Sequence, residues 1–126
     1  MNLLLDTHAF LWALDDDSRL SPAARTAIID GRNVVYVSAA TAWEIVIKRA
    51  IGKLKIPQSD YLEELRLHRF TPLSITAEHA LAVEDLPLHH KDPFDRMLIA
   101  QAQEERLTLI TRDKRLTLYD VKIIET

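Results

Sequence analysis

Four acidic side chains stand where predicted strands end or predicted helices begin, although they are widely separated along the sequence. They are Asp6, Glu44, Asp95 and Asp113. The chain has no cysteine, and a set of carboxylate ligands alone suits hard cations such as Mg²⁺ or Mn²⁺. Such an ion can clamp a phosphodiester, lower the pKa of a bound water and stabilise the leaving oxygen. These residue types therefore favour metal-assisted hydrolysis of a phosphodiester by in-line attack of water.

Alternating apolar runs and helical segments predict the elements that would carry these acids. Apolar or β-branched runs predict strands at 3–5, 34–37, 107–110 and 121–124, with a weaker edge strand at 70–75 because it contains Pro72. A first helix is predicted from Thr7, and capping residues predict others at 22–29, 39–51, 60–68, 77–84 and 93–106. The predicted caps are Ser21, Ser38, Ser59, Thr76 and Asp92. This order predicts an α/β fold of parallel strands with right-handed helical crossovers.

The predicted topology brings the four acids to one edge of the sheet. Sites in open parallel sheets form at the carboxyl ends of the strands. Asp6 directly follows the first strand, and Asp113 follows the strand that ends near residue 110. Glu44 and Asp95 lie in the first turns of helices that begin at the same edge. Clustered carboxylates should have raised pKa values unless a cation compensates their charge.

Three of these acids also have a simpler interpretation. Asp6 could cap the first helix, but Thr7 could supply that cap instead. Glu44 could face solvent, although Trp43 and Ile45 beside it indicate a mostly buried helix. Asp113 could be an ordinary turn residue.

The segment around Asp95 is ambiguous in the same way. Asp92 and Asp95 flank Pro93 with the spacing of a capping box, so the spacing alone does not separate a structural pair from ligands. His89 and His90 could bind metal or phosphate, but two neighbouring loop histidines are interpreted here as surface residues.

Four segments, in order, resemble the successive signatures of PIN-domain proteins, most of all the VapC-type toxins of bacterial toxin–antitoxin pairs. They are residues 3–8, 38–45, 90–102 and 109–113. The resemblance spans nearly the whole chain and is weakest between residues 52 and 88. It implies a single domain over residues 1–126, with a central five-stranded, mainly parallel sheet between two layers of helices.

The resemblance also implies an activity and a site. The activity is that of a Mg²⁺- or Mn²⁺-dependent endoribonuclease toxin. The catalytic and metal-binding acids would be Asp6, Glu44, Asp95 and Asp113. Thr7 and Thr111 would support them by hydrogen bonding, and Asp92 would be a helix cap first and a ligand second. A homodimer and a cognate antitoxin whose tail covers the groove are the implied partners.

Charge and hydropathy limit the remaining possibilities. Sixteen basic and nineteen acidic residues give a net charge of −3, which is not the signature of a general nucleic-acid coat. Arg96, Arg112 and Lys48 are the predicted contacts to RNA phosphates, and they would make binding salt-dependent. No apolar run approaches the ~20 residues of a membrane span, and the N-terminus is a poor signal peptide. We therefore expect a cytoplasmic protein without a membrane partner.

Two other functions and one surface stay open at this point. The chain could be a catalytically silent binding module of the same fold, although acids stand at every expected position. It could also be a phosphatase with Asp6 as nucleophile, but that class usually has a second Asp where this chain has His8. The amphipathic segment 61–67 is predicted to pack on the core rather than to serve as a partner surface.

Overall fold

The computed structural model describes residues 1–54 and 60–126. The strands are β1 Asn2–Leu5, β2 Val34–Ser38, β3 Thr71–Leu73, β4 Thr108–Thr111 and β5 Lys122–Glu125. The helices are α1 Thr7–Leu14, α2 Pro22–Ile29, α3 Ala39–Ala50, α4 Tyr61–Leu67, α5 Ala77–Ala82 and α6 Pro93–Glu105. Short 3₁₀ helices follow at Val83–Asp85 and Lys114–Leu118.

The five strands form one sheet in the order β3-β2-β1-β4-β5, and every neighbouring pair is parallel. Strand β1 lies at the centre, so its leucines are buried on both faces. Leu3 and Leu5 pack in one core with α1, α2 and α4, whereas Leu4 packs in a second core with α6. The predicted α/β fold, with a five-stranded sheet between helical layers, is confirmed. Pro72 lies on the edge strand β3, as its missing N–H requires.

Local capping explains where most helices begin. The side chains of Ser21, Ser38, Thr76 and Asp92 accept hydrogen bonds from backbone N–H groups in the first turn of the helix that each precedes. Helix α4 begins one residue later than predicted, with Asp60 as its cap; the predicted cap Ser59 lies outside the described residues.

Several predicted boundaries differ from the structure by one to a few residues. The helix predicted at 77–84 is α helical only to Ala82, and its last residues form a 3₁₀ turn. Strands β4 and β5 each begin and end one residue later than predicted. The shift of β4 places Thr111 inside the strand, where its side chain reaches the site described below.

The outer face of α3 corrects one expectation. Trp43 suggested a mostly buried helix, but its side chain is 61% exposed, and Val46 and Ile51 are 59% and 60% exposed. The buried residues of α3 are Ala40, Thr41, Glu44 and Ile45. Trp43 has one aromatic neighbour, Phe94 of α6, at 5.3 Å between ring centroids.

The apolar residues of α4 fit the predicted core packing of segment 61–67 only in part, because some of them are buried and others are exposed. Leu65 is buried and Tyr61 packs against the core, as predicted, but Leu62 and Leu67 are exposed. Among the described helices, none is both long enough and apolar enough to cross a membrane.

Candidate active site

All four predicted acids line one cavity of about 190 Å³ at the carboxyl edge of the sheet. Asp6 follows β1, Asp113 follows β4, and Glu44 and Asp95 lie near the N-termini of α3 and α6. The same cavity is lined by Asp92 and by three permanently charged cations, Lys48, Arg112 and Arg115. All four acids that the topology predicted at one edge of the sheet therefore lie there.

Asp6 is held by two hydrogen bonds, one at each carboxylate oxygen. Its Oδ1 accepts from the backbone N–H of Ala9 at 2.8 Å, so Asp6 caps α1. Its Oδ2 accepts from the Thr111 hydroxyl at 2.5 Å. The cap of α1, which the sequence left open between Asp6 and Thr7, therefore belongs to Asp6, whose side chain also lines the cavity. Burial raises the pKa of Asp6 above its usual range, and the two hydrogen bonds oppose that shift.

Glu44 is a buried carboxylate whose two oxygens have different partners. The Thr7 hydroxyl donates to Oε1 at 2.6 Å, and the Lys48 ammonium donates to Oε2 at 2.5 Å. Thr7 also contacts the Thr41 hydroxyl at 3.3 Å. The contact with Glu44 raises the pKa of Lys48, so Lys48 is a firmly charged partner of this acid. Lys48, a predicted RNA contact, therefore lies beside an acid of the cavity and forms an ion pair with it.

Asp92 and Asp95 have different roles: Asp92 caps α6, and Asp95 is an acid of the cavity. Asp92 Oδ1 accepts from the N–H groups of Phe94 and Asp95 at 2.8 and 3.0 Å, which confirms Asp92 as the cap of α6. Asp95 instead turns its carboxylate into the cavity. Burial, and then the charges of Asp92, Asp6 and Glu44, raise the pKa of Asp95 to about 8.

His90 is a site residue that the sequence analysis interpreted as a surface residue, and that interpretation is wrong. Its side chain is buried, and Nε2 lies 2.9 Å from Asp95 Oδ2 and 3.0 Å from Asp113 Oδ2. Its Nδ1 accepts from the N–H of Asp92 at 3.2 Å, which leaves the proton on Nε2, facing the two acids. His89 is exposed, as predicted.

Asp113 combines a turn role with a place in the cavity. It caps the second 3₁₀ helix, with Oδ1 accepting from the N–H of Arg115 at 2.9 Å. Its Oδ2 forms an ion pair with the Arg115 guanidinium at 2.9 Å, which lowers the pKa of Asp113 below its usual value. The Thr111 hydroxyl accepts from the N–H of Asp113 at 3.0 Å and so links this acid to Asp6.

The predicted RNA contact Arg96 is not brought to the cavity. Its guanidinium donates to the carbonyls of Pro87 and Val83 at 3.0 and 3.1 Å and to the Tyr119 hydroxyl at 3.3 Å. These bonds fix the loop before α6, and they leave Arg96 among backbone acceptors instead of at the rim. The sequence does not show this, because the acceptors are carbonyls that any residue carries.

Arg112 lines the cavity, but its donors are used elsewhere. Its guanidinium donates to the carbonyls of Thr126 and Arg19 at 2.9 and 2.6 Å and lies 4.5 Å from the centre of the Trp12 ring. Its positive charge faces the site while its geometry is set by these contacts. Arg115 is the other arginine at this rim.

The donor set of the cavity fits a divalent metal ion. His90, Asp95 and Asp113 each offer one ligand atom, and these atoms lie within 4.8 Å of one another. The carboxylate oxygens suit Mg²⁺ or Mn²⁺, and His90 would join them through Nε2 only after losing the proton that it carries there. The raised pKa of Asp95 agrees with this, because burial and then the charges of its acidic neighbours disfavour its ionised form when no cation is bound.

Comparison with known proteins places the chain in a family. The sequence model described as "PIN domain" matches residues 3–122. Over 117 residues the chain is 33% identical to Ribonuclease VapC22 of Mycobacterium tuberculosis, an alignment that covers 90% of this chain and 88% of that protein.

Two solved structures share the fold. VapBC2 from Rickettsia felis, bound to a DNA fragment from its promoter, gives a TM-score of 0.72 at 14% identity, over 99% of this chain and 98% of that chain. DNA-bound VapBC from Salmonella typhimurium gives a TM-score of 0.67 at 13% identity, over 99% of this chain and 98% of that chain. With the family model and the curated relative both spanning most of its length, this chain belongs to the PIN-domain family.

Proposed function

We propose that the chain, as one nuclease domain over residues 1–126, is a divalent-metal-dependent endoribonuclease and the toxin of a toxin–antitoxin pair. The observation that carries the proposal is the convergence of Asp6, Glu44, Asp95 and Asp113 on one cavity. Three of its relatives support the same function: one is named a ribonuclease of the VapC type, and two structural neighbours are VapBC complexes.

The residues that would hold the ion are Asp95 and Asp113, with Asp6 and Glu44 acting directly or through water. When bound, Mg²⁺ or Mn²⁺ supplies a Lewis acid for the scissile phosphate and a lowered pKa for the attacking water. Both Mg²⁺ and Mn²⁺ fit these carboxylate ligands.

The other polar residues of the cavity orient these acids. Thr7 holds Glu44, and Thr111 holds Asp6 while it accepts from the Asp113 backbone. Such contacts fix carboxylate rotamers before substrate arrives, which avoids reorganisation during the reaction. His90 donates its Nε2 proton between Asp95 and Asp113 and so holds these two carboxyl groups close together.

The cations at the rim would attract and position RNA. Lys48, Arg112 and Arg115 line the cavity beside the acids, so a phosphate that approaches the site meets positive charge on its edge. Each phosphate contact would contribute to the salt dependence of binding. A cytoplasmic location, where cellular RNA is available, is part of this proposal.

The exposed apolar face of α3 supports the proposed protein partners. Trp43, Val46, Ile47 and Ile51 expose large side chains on one helix, which is typical of a contact surface rather than of a solvated face. A homodimer and a cognate antitoxin are the partners that we propose. Light scattering on the purified chain, alone and with an antitoxin candidate, tests both.

Cleavage of RNA tests the activity directly. The purified chain should cut RNA in the presence of Mg²⁺ or Mn²⁺ and stop when a chelator is added. Asp6→Asn should reduce cleavage by at least about 100-fold, because it weakens metal binding at a fixed position. Asp15→Asn changes an exposed acid outside the cavity in the same way and should leave cleavage unchanged. A folded Asp6→Asn protein with full activity would refute the mechanism.

Metal titration separates the proposal from the alternative of a silent binding module. That alternative predicts no measurable Mn²⁺ binding in the millimolar range, whereas the cavity described here should bind the ion. The phosphatase alternative needs a free Asp6 nucleophile, but both Asp6 oxygens accept hydrogen bonds from the protein.

A further inference from the structure

The Lys48 ammonium occupies a position inside the cluster of acids and not only at its edge. Its Nζ lies 2.5 Å from Glu44 Oε2, and the side chain of Glu44 is only 6% exposed. The side chain of Lys48 is itself about two-thirds covered, and its charge also interacts with Asp92 and Asp95. Lys48 therefore compensates the acids directly.

The partners of Glu44 leave little room for a metal ion on that carboxylate. Oε1 accepts from Thr7 and Oε2 accepts from Lys48, so each oxygen already has a short hydrogen bond. A second divalent ion between Glu44 and its neighbours would have to approach the Lys48 ammonium closely. Two cations at such a distance in a buried site repel each other strongly. Asp113 has a comparable cation, Arg115, at 2.9 Å, whereas the Asp95 carboxylate contacts His90 and, among the described residues, forms no ion pair with a lysine or an arginine.

The charge balance of the cavity agrees with this division. Five carboxylates and three permanently positive side chains line it, so two negative charges remain when the histidines are neutral and all five acids are ionised, as metal binding requires of Asp95. One divalent ion neutralises these two negative charges. A second ion would give the RNA-free cavity a net positive charge. Lys48 contributes one of the three permanent charges, and it is the one in contact with Glu44.

We infer that Lys48 takes the place of a second metal ion at Glu44, so that the RNA-free site binds one divalent ion per chain. This inference rests on the proposed divalent-ion function. It makes Lys48 a positioning residue, which holds the Glu44 carboxylate in place, and it assigns the metal to Asp95, an acid of the cavity without such a cation among the described ion pairs.

Counting bound Mn²⁺ tests the inference without RNA. Titration calorimetry and electron paramagnetic resonance of the metal-free chain should give one Mn²⁺ per chain for the unaltered protein. Lys48→Met removes the charge but keeps most of the stem, and it should raise the count to two, with a signal from two coupled ions. Lys48→Arg keeps the charge and should stay at one. Lys53→Met makes the same change at an exposed lysine outside the cavity and should also stay at one.

A double variant sharpens the test. Glu44→Gln combined with Lys48→Met removes one charge of each sign, so the balance of the cavity is unchanged and the count should return to one. If Lys48→Met does not fold without metal, refolding it with Mn²⁺ should recover protein with two ions per chain. One ion in that protein, or two ions in the unaltered chain, would overturn the inference.

The outcomes also separate this inference from the proposed function. A chain that binds one Mn²⁺ but leaves RNA intact would refute the ribonuclease proposal and keep the role of Lys48. A chain that cuts RNA but binds two ions in the absence of RNA would keep the ribonuclease proposal and refute the role of Lys48.

Discussion

The two faces of α3 contrast with each other in a way that burial rules alone do not predict. The inner face buries a carboxylate, Glu44, together with the Thr41 hydroxyl, whereas the outer face exposes Trp43 and Val46 to solvent. Buried charges are costly unless they are paired, and exposed apolar patches are uncommon unless they are covered by a partner. One helix therefore carries two departures from ordinary packing, and each points to a function. The inner face serves the acidic site, and the outer face fits the proposed protein partners.

The largest expected effect is on the inner face. Glu44→Gln removes one charge from the cavity and leaves Lys48 facing a neutral amide, so cleavage of RNA should fall by at least about 100-fold. Glu104→Gln makes the same change at an exposed position of α6 and should leave cleavage unchanged. Initial rates at saturating Mn²⁺ measure both. If both variants lost the same fraction of the cleavage rate, burial of Glu44 in the cavity would not explain its importance.

The next largest effect concerns pH and Asp95, another acid of the cavity. The pKa of Asp95 is raised to about 8, so the folded, metal-free chain holds a proton that the unfolded chain has already released. Its stability should therefore fall as the pH rises toward about 8, and Mn²⁺ affinity should rise over the same interval because the ion displaces that proton. Calorimetry between about pH 6 and pH 8 should show up to about a tenfold gain per pH unit.

Asp95→Asn is the variant that checks this assignment. Asparagine has no proton to release, so the pH dependence of both stability and metal affinity should flatten, and the metal-free protein should gain thermal stability at about pH 8. An Asp95→Asn chain with the same pH profile as the unaltered chain would show that another group is titrating.

A smaller effect is expected at the hydroxyl that positions Glu44. Thr7→Val keeps the shape of the side chain but removes the donor to Glu44 Oε1. Cleavage should fall by about 10- to 100-fold, as is usual for groups that orient a metal ligand. Thr26→Val, on α2 and away from the cavity, is the matched control. An unchanged rate in Thr7→Val would mean that Lys48 alone is enough to orient Glu44.

The smallest effect on catalysis is expected on the outer face. Val46→Ser reduces the exposed apolar surface and should change stability by no more than about 0.5 kcal/mol and leave the cleavage rate per chain unchanged. Its expected effect is on association, measured as a shift of the dimer population by light scattering at several concentrations. If Val46→Ser lost cleavage but kept its dimer population, the outer face of α3 would serve the active site and not association.

Much of the candidate site could be predicted because it depends on topology. A parallel sheet with helical crossovers brings the carboxyl ends of strands to one edge, so the positions of Asp6 and Asp113 after strands were enough to place them together. Likewise, Asp92 before Pro93 is a local capping signal, and it acts as one.

The residues that could not be predicted depend on the path of loops and on backbone acceptors. His90 reaches Asp113 across 23 positions of sequence because the loop before α6 folds against the end of β4. Arg96 turns away from the cavity because carbonyl groups of the preceding loop accept its protons. Neither contact has a signature in residue type or spacing.

The sequence by itself determined the main elements, the parallel direction of the strands and the edge at which the acids meet, because strand and helix signals are local and parallel crossovers have one hand. Only the tertiary structure decided which groups neutralise those acids. Pairing of a buried charge depends on distances of a few ångströms between distant residues, and it put Lys48 on Glu44 and His90 between Asp95 and Asp113.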